Sequence, residues 1–280
     1  MKKLPPWAVL SLATNGLLLL LVIQLWQGGK ESLWFVSAGS VTIPASASTP
    51  PVDAIATENL PGELGPRHQL SYRQWVALLE REAQVMAQNQ PQHLNILLGD
   101  SISLWFPPDY LPPDRIWLNQ GISGETSSGL LRRLSLLDRT QPEAIFVMIG
   151  INDLLKGVKD RELLENQRKI IRDLRWIHPQ AALIVHSILP HSGPSATWEG
   201  RSRLLTLSND RIRVLNRELK AIAQEEGVHF LDLQPLFTDE NGYLRRNLST
   251  DGLHLNREGY LLWSSALLVF CQLELDAPRR

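Results

Sequence analysis

The chain is short of cysteine, of net charge and of any basic tract. It carries one cysteine in 280 residues, Cys271, which excludes an intramolecular disulfide framework and any zinc site built on cysteines. Twenty-eight Lys and Arg against 29 Asp and Glu leave a net charge of −1. Without a basic excess to neutralise phosphates, no nucleic-acid partner is expected. Charged residues make up only 20% of the chain and hydrophobic ones 44%, which excludes a wholly disordered chain and allows a large core. No internal repeat is present at any period. No His/Asp/Glu cluster has metal-ligand spacing, so no metal is expected.

What the chain has is a strong polarity from one end to the other. Met1-Lys2-Lys3 precedes an uncharged run from Trp7 to Trp26 dominated by leucine and valine. About 20 such residues cross a hydrocarbon core of about 30 Å as a helix. A cleaved signal peptide is the competing reading, with an apolar region of about 7–15 residues and a small-x-small site close behind. Here the run is longer, Gln27-Gly28-Gly29-Lys30 follows it, and Ala45-Ser46-Ala47 comes late. The expectation is an uncleaved, single-pass signal anchor through residues 7–26. Lys2 and Lys3 hold its start in the cytoplasm, which leaves the rest of the chain extracytoplasmic, periplasmic or extracellular. Residues 1–29 hold two lysines and no acid, so the exported remainder is mildly acidic. Residues 37–66 mix Pro44, Pro50, Pro51, Pro61 and Pro66 with Ser, Thr and Ala and read as a tether. The expected division is 1–29 stub and anchor, 30–67 tether, 68–91 leading helix and 92–280 catalytic domain.

Beyond the tether the apolar pattern becomes regular. Trp75, Leu78, Leu79, Val85 and Met86 recur at helical spacing and predict an amphipathic helix over 71–88. Short apolar runs predict strands at 94–98, 116–118, 144–149, 181–186 and 228–231. Leu163, Gln167, Ile170, Leu174 and Ile177 mark one intervening helix, stopped by Pro179, and Ile212, Leu215, Leu219 and Ile222 mark another, ended at Gly227. A last helix is predicted over 257–273. Strands alternating with helices imply an α/β fold with a parallel sheet covered on both faces. In such sheets ligands bind beyond the carboxyl ends of the strands.

The loops at those ends hold the chemistry. They read Gly99-Asp100-Ser101, then Asn119-Gln120-Gly121-Ile122-Ser123-Gly124-Glu125-Thr126, then Gly150-Ile151-Asn152-Asp153, and finally Asp251-Gly252-Leu253-His254 before the last helix. Each block alone is weak, being made of turn residues. All four in this order supply what acyl-ester hydrolysis needs. Ser101 is the nucleophile, and His254 is the base that takes its proton. Asp251, three residues earlier, orients the imidazole. The Ser101 N–H, the Gly124 N–H and the Asn152 side-chain amide are the oxyanion donors. Glycine suits position 124 because a side chain could block the reacting centre. Gly-x-Ser-x-Gly is absent, so the nucleophile elbow of α/β-hydrolases does not fit.

These blocks resemble the SGNH/GDSL hydrolase superfamily, whose letters stand for the Ser, Gly, Asn and His just named. The resemblance covers about residues 92–270. It extends through Asn119 to Leu134, the helix over 209–219, and His254-Leu255-Asn256 with Gly259-Tyr260. These segments are similar to bacterial esterases of that family and to the catalytic subunits of platelet-activating-factor acetylhydrolases. The resemblance implies a three-layer α/β/α sandwich with a five-stranded parallel, flavodoxin-like sheet. It also assigns the block-two glycine to Gly124 rather than Gly121.

The function expected is therefore a membrane-anchored extracytoplasmic serine esterase acting on a small-molecule or polymer-borne acyl ester, with no cofactor. An O-acetyl esterase or acetyltransferase working on cell-envelope polysaccharide uses the same site. A non-catalytic envelope-binding module is the reading from another class. Around the site, Asp100 and Asp153 read as structural acceptors for loop N–H groups. Arg132 and Arg133 read as a solvated helix face, and His178 as a partner of a helix C-terminus. His186 reads as a hydrogen-bonded strand residue, His191 is placed where the pocket mouth could be lined, and Cys271 reads as a packed core thiol. Trp105 and Phe106 read as acyl-pocket wall or ordinary core. The long loop over 190–207 is where substrate choice transfers least.

Overall fold

The structure is a computed structural model that describes residues 70–276. The predicted anchor over residues 7–26 and the tether lie outside the described residues. Among the described residues no helix is long and apolar enough to cross a membrane.

The five apolar segments become β1 (Leu94–Gly99), β2 (Ile116–Gly121), β3 (Ala144–Met148), β4 (Ala182–His186) and β5 (His229–Leu231). They form one sheet in the order β2-β1-β3-β4-β5. Every pairing is parallel. Both faces of β1 and β3 are buried along their whole length, as a sheet covered by helices on two sides requires. Alternate β3 residues serve the two cores. Phe146 and Met148 pack with Trp263 and Leu267 of α9 (Arg257–Phe270) and with Leu215 and Leu219 of α7 (Asn209–Glu225). Ile145 and Val147 pack with Leu130 of α3 (Ser127–Arg132), with Ile170, Ile171 and Leu174 of α5 (Asp160–Ile177) and with Ala83 of α1 (Tyr72–Asn89). The short helices α2 (Ser101–Leu104), α4 (Ile151–Leu155), α6 (Arg201–Thr206) and α8 (Gln234–Phe237) lie in the connections. This is the expected three-layer α/β/α sandwich.

The helix ends follow local chemistry. Ser71 and Gln74 close a capping box at the start of α1. Helix α5 stops at Ile177, with the His178 N–H bonded to Leu174 O as the helix is left.

Three details depart from the sequence reading. Strand β2 continues through Asn119 and Gln120, whose polarity suggested a loop. The Asn119 amide donates to Ser103 O at 2.7 Å, and that of Gln120, fully buried, donates to Leu79 O at 3.2 Å. The last helix ends at Phe270 and passes into a π-helical turn over Cys271–Leu275. His186 is buried without a hydrogen-bond partner for either ring nitrogen. It lies between Phe146 and Trp263, and burial pushes its pKa down to about 3, so it stays neutral. Cys271 is the packed thiol expected, and burial pushes it up to about 11.

The sheet order sets the position of the site. β2 lies on one side of β1 and β3 on the other, so the chain reverses direction between β1 and β3. Gly99 is in register with Gly121 and with Met148. Three strands thus end level, and their loops leave side by side at the switch point.

Candidate active site

Ser101 is the first residue of α2, directly beyond β1. Asp100 caps that helix, its Oδ1 accepting from the Ile102 N–H at 3.0 Å. At the first helical position the Ser101 N–H has no helical acceptor. Asp100 is the structural acceptor expected, and burial raises its carboxyl to about 7.

Across the chain, the Asp251-Gly252-Leu253-His254 turn brings an imidazole to the serine. Ser101 Oγ lies 3.0 Å from His254 Nε2, and His254 Nδ1 lies 2.7 Å from Asp251 Oδ2. An imidazole that donates from Nδ1 to the carboxylate leaves Nε2 to accept the serine proton. Asp251 Oδ1 also accepts from the N–H groups of Leu253 and His254 at 2.9 and 2.8 Å. Burial alone would raise this carboxyl, but the bonds from His254 and the two N–H groups outweigh it and hold it below the usual range.

The 190–207 loop braces this turn from behind. The N–H groups of Thr197 and Trp198 donate to Asp251 O, and that of Ser192 donates to Gly252 O. His191 lines a cavity of about 370 Å³ with Gly193, Leu207 and Tyr243, one that includes none of Ser101, Asp251 and His254. His191 is 1% exposed, donates from Nε2 to Leu207 O at 2.8 Å and accepts from the Gly193 N–H at 3.0 Å. It is a spacer that holds the loop in shape.

The three oxyanion candidates follow the ends of three neighbouring strands, β1, β2 and β3. Gly124 has φ +73°, a conformation that favours glycine. A Cβ there would meet nothing within 4 Å. The backbone conformation therefore favours glycine here, and the space beside its Cα is open. Its carbonyl accepts from Lys156 Nζ at 2.7 Å. Lys156 follows α4, the helix that carries Asn152. Asn152 Nδ2 is buried and has no hydrogen-bond partner in the described structure. A buried amide left unpaired is costly and calls for an explanation, which a transient acceptor such as an oxyanion would supply. Asp153 accepts from Ser127 N and Ser127 Oγ, the structural role expected, and burial raises its carboxyl.

The structure separates Trp105 from Phe106, and it adds three features that the sequence did not reveal. Trp105 lies with its ring centroid 4.3 Å from that of His254 and is 36% exposed, whereas Phe106 belongs to the core with Tyr260 and Trp263. Lys156 and Ser127 carry no motif. Arg133 is not solvated as predicted. Arg132 is exposed, but Arg133 is 5% exposed and pairs with Glu125 at 2.9 Å. Successive helical residues point about 100° apart, so two adjacent arginines need not share a face. That was the available signal.

The family model of the GDSL-like Lipase/Acylhydrolase family matches residues 97–262. The chain belongs to that family, within the SGNH/GDSL hydrolase superfamily. Platelet-activating factor acetylhydrolase IB subunit alpha1 of Bos taurus is 30% identical over 148 residues, covering 51% of this chain and 58% of that protein. The isoamyl acetate-hydrolyzing esterase of Saccharomyces cerevisiae is 25% identical over 162 residues, covering 54% of this chain and 66% of that one. The chain thus spans less than two thirds of these relatives. A solved structure from Streptococcus pneumonia, described as a platelet activating factor, has a TM-score of 0.61 at 26% identity and covers 71% of this chain and 95% of that one.

Proposed function

We propose that the protein is a serine esterase in which Ser101 attacks the ester carbonyl, His254 takes the serine proton and returns it to the leaving alcohol, and Asp251 holds the imidazole. The observation that carries this reading is the unbroken chain from Ser101 Oγ through His254 to Asp251, at 3.0 and 2.7 Å. The tetrahedral intermediate places its oxyanion among the N–H groups of Ser101 and Gly124 and the Asn152 amide, whose Nδ2 is otherwise unpartnered. Water then attacks the acyl-enzyme, with His254 again as base, and releases the acid.

The two curated relatives are named for acetyl esters, which supports short acyl groups, acetyl first, as the substrate class here. The uncharged run over residues 7–26 supports a single-pass anchor with the catalytic domain outside the cytoplasm. Such a tethered domain would meet acyl esters of the cell envelope, including O-acetylated glycans.

The test uses the full chain in detergent. Wild type should hydrolyse p-nitrophenyl acetate and react with a fluorophosphonate at Ser101, and Ser101→Ala should lose about a thousandfold or more. Equal rates in the two proteins would overturn the assignment. Release of acetate from acetylated glycans but not from lipid esters would select the polysaccharide substrate.

A further inference from the structure

Helix α1 precedes the span matched by the family model, yet it packs against two of the loops that form the site. We propose that α1 is part of the catalytic apparatus, with Tyr72 a positioning residue that sets the Gly124 N–H through the side chain of Glu125. The proposal rests on the serine-esterase reading of the site.

Three kinds of contact join α1 to the oxyanion loop. Trp75 and Leu79 form a separate apolar cluster with Ile122, two residues before Gly124. Leu104, from the helix that begins with Ser101, packs against the same cluster. The Leu79 carbonyl accepts from the Gln120 amide at 3.2 Å. Beyond the glycine, Glu125 Oε2 accepts from Arg133 Nε at 2.9 Å and from the Tyr72 hydroxyl at 3.3 Å, while Oε1 accepts from the Thr126 N–H at 3.2 Å. The Arg133 fork also donates to Gln120 O at 2.8 Å. One guanidinium therefore ties together the residues on both sides of the Ile122-Ser123-Gly124 segment.

Glu125 and Arg133 are 4% and 5% exposed. A pair that dry gains little net stability over apolar residues of the same size, because desolvation offsets the attraction. What it supplies is fixed geometry. A Cβ on Gly129 would fall 1.7 Å from Glu125 Oε1, so the fold leaves room for the carboxylate in this one place. The Glu125 N–H also donates to Ile122 O at 3.1 Å and closes the turn, so holding Glu125 holds the Ile122-Ser123-Gly124 segment that carries the Gly124 N–H. An oxyanion donor acts only if it is aimed before the reaction, because the charge develops without time for the backbone to search.

Tyr72 is the member that can be altered cleanly. It is 45% exposed, and Tyr72→Phe removes one hydroxyl while keeping the ring and the buried pair. Rates are measured with p-nitrophenyl acetate on the full chain and normalised by fluorophosphonate titration of active sites. The kcat per titrated site should fall about three- to tenfold, with KM within about twofold of wild type. The Ki of phenylboronic acid, whose serine adduct mimics the tetrahedral intermediate, should rise by the same factor. A purely structural role would lower the number of titratable sites and leave kcat per site and Ki unchanged. An active wild type with an equally active Tyr72→Phe variant overturns this proposal alone. The same holds for a lower kcat with an unchanged boronate Ki. A wild type that neither hydrolyses the ester nor labels at Ser101 overturns the esterase reading, and this proposal with it.

Discussion

Asp153 accepts both the hydroxyl and the main-chain N–H of Ser127, at 2.5 and 2.8 Å. Ser127 stands three residues beyond Gly124, and Asp153 is the neighbour of Asn152. One buried carboxylate thus links the segments that carry the two proposed oxyanion donors, which arrive from different strands. Asn166 of α5 donates to the same hydroxyl at 3.0 Å, which leaves Ser127 no freedom to turn away.

Replacing Asp153 by Asn should break this link without changing its shape. Even turned so that its Oδ1 accepts the Ser127 N–H, the amide sets its nitrogen against Ser127 Oγ. That hydroxyl already accepts from Asn166 and is left with no acceptor for its own proton. The expected cost is about 1–3 kcal/mol of stability, or several degrees in Tm for a domain of this size at about 2–4 °C per kcal/mol. Rate should suffer as well, with kcat falling at constant KM once Gly124 and Asn152 lose their spacing. Thermal melts and steady-state kinetics on one preparation would check both. A variant that melts earlier but keeps its kcat would show that Asp153 stabilises the fold alone.

Asn152 makes the opposite prediction for stability. Its Nδ2 is buried without a partner among the described residues, so this atom carries a desolvation cost in the folded protein. Asn152→Ala should melt at or above the wild-type temperature while kcat falls by about a hundred- to thousandfold. KM should hardly change, because the donor serves the developing oxyanion more than the ground-state carbonyl. A clear loss of Tm in the alanine variant would show that the amide is used in the resting structure.

Such residues also show where sequence reasoning reaches and where it ends. Ser101 and Asn152 were legible because each follows an apolar run and sits in a local motif, His254 because its motif stands just ahead of the last helix, and Asp251 because it shares a turn with His254. The strands were legible from continuous burial, as in β1 and β3. The end of β2 was not, because Gln120 owes its burial to the Leu79 carbonyl, 41 residues away in the chain. The solvated reading of Arg133 failed for the same reason, and so did the pocket-mouth option for His191. Their partners are Glu125 and Gln120, and Leu207 and Gly193, and local spacing does not encode whether a charge or an imidazole faces inward. Tyr72 belongs to this group, since its contact with Glu125 crosses 53 residues.

Asp100 gives a prediction in pH. Burial raises its carboxyl from 3.8 to about 7, partly opposed by the Ile102 N–H and by His254. Its folded pKa therefore lies above its unfolded one. Between these values the folded state holds a proton that the unfolded state has lost, so stability falls as pH rises from about 4 to about 7 and levels off beyond. Asn caps a helix as well as Asp does, so Asp100→Asn keeps the cap and removes the titration. The variant should match wild type near pH 4 and gain on it steadily up to about pH 7, by at most about 4 kcal/mol. Paired melts at pH 4, 6 and 8 read this directly. A stability difference between the two proteins that does not change with pH would show that Asp100 titrates at its ordinary value, despite having no exposed surface to speak of.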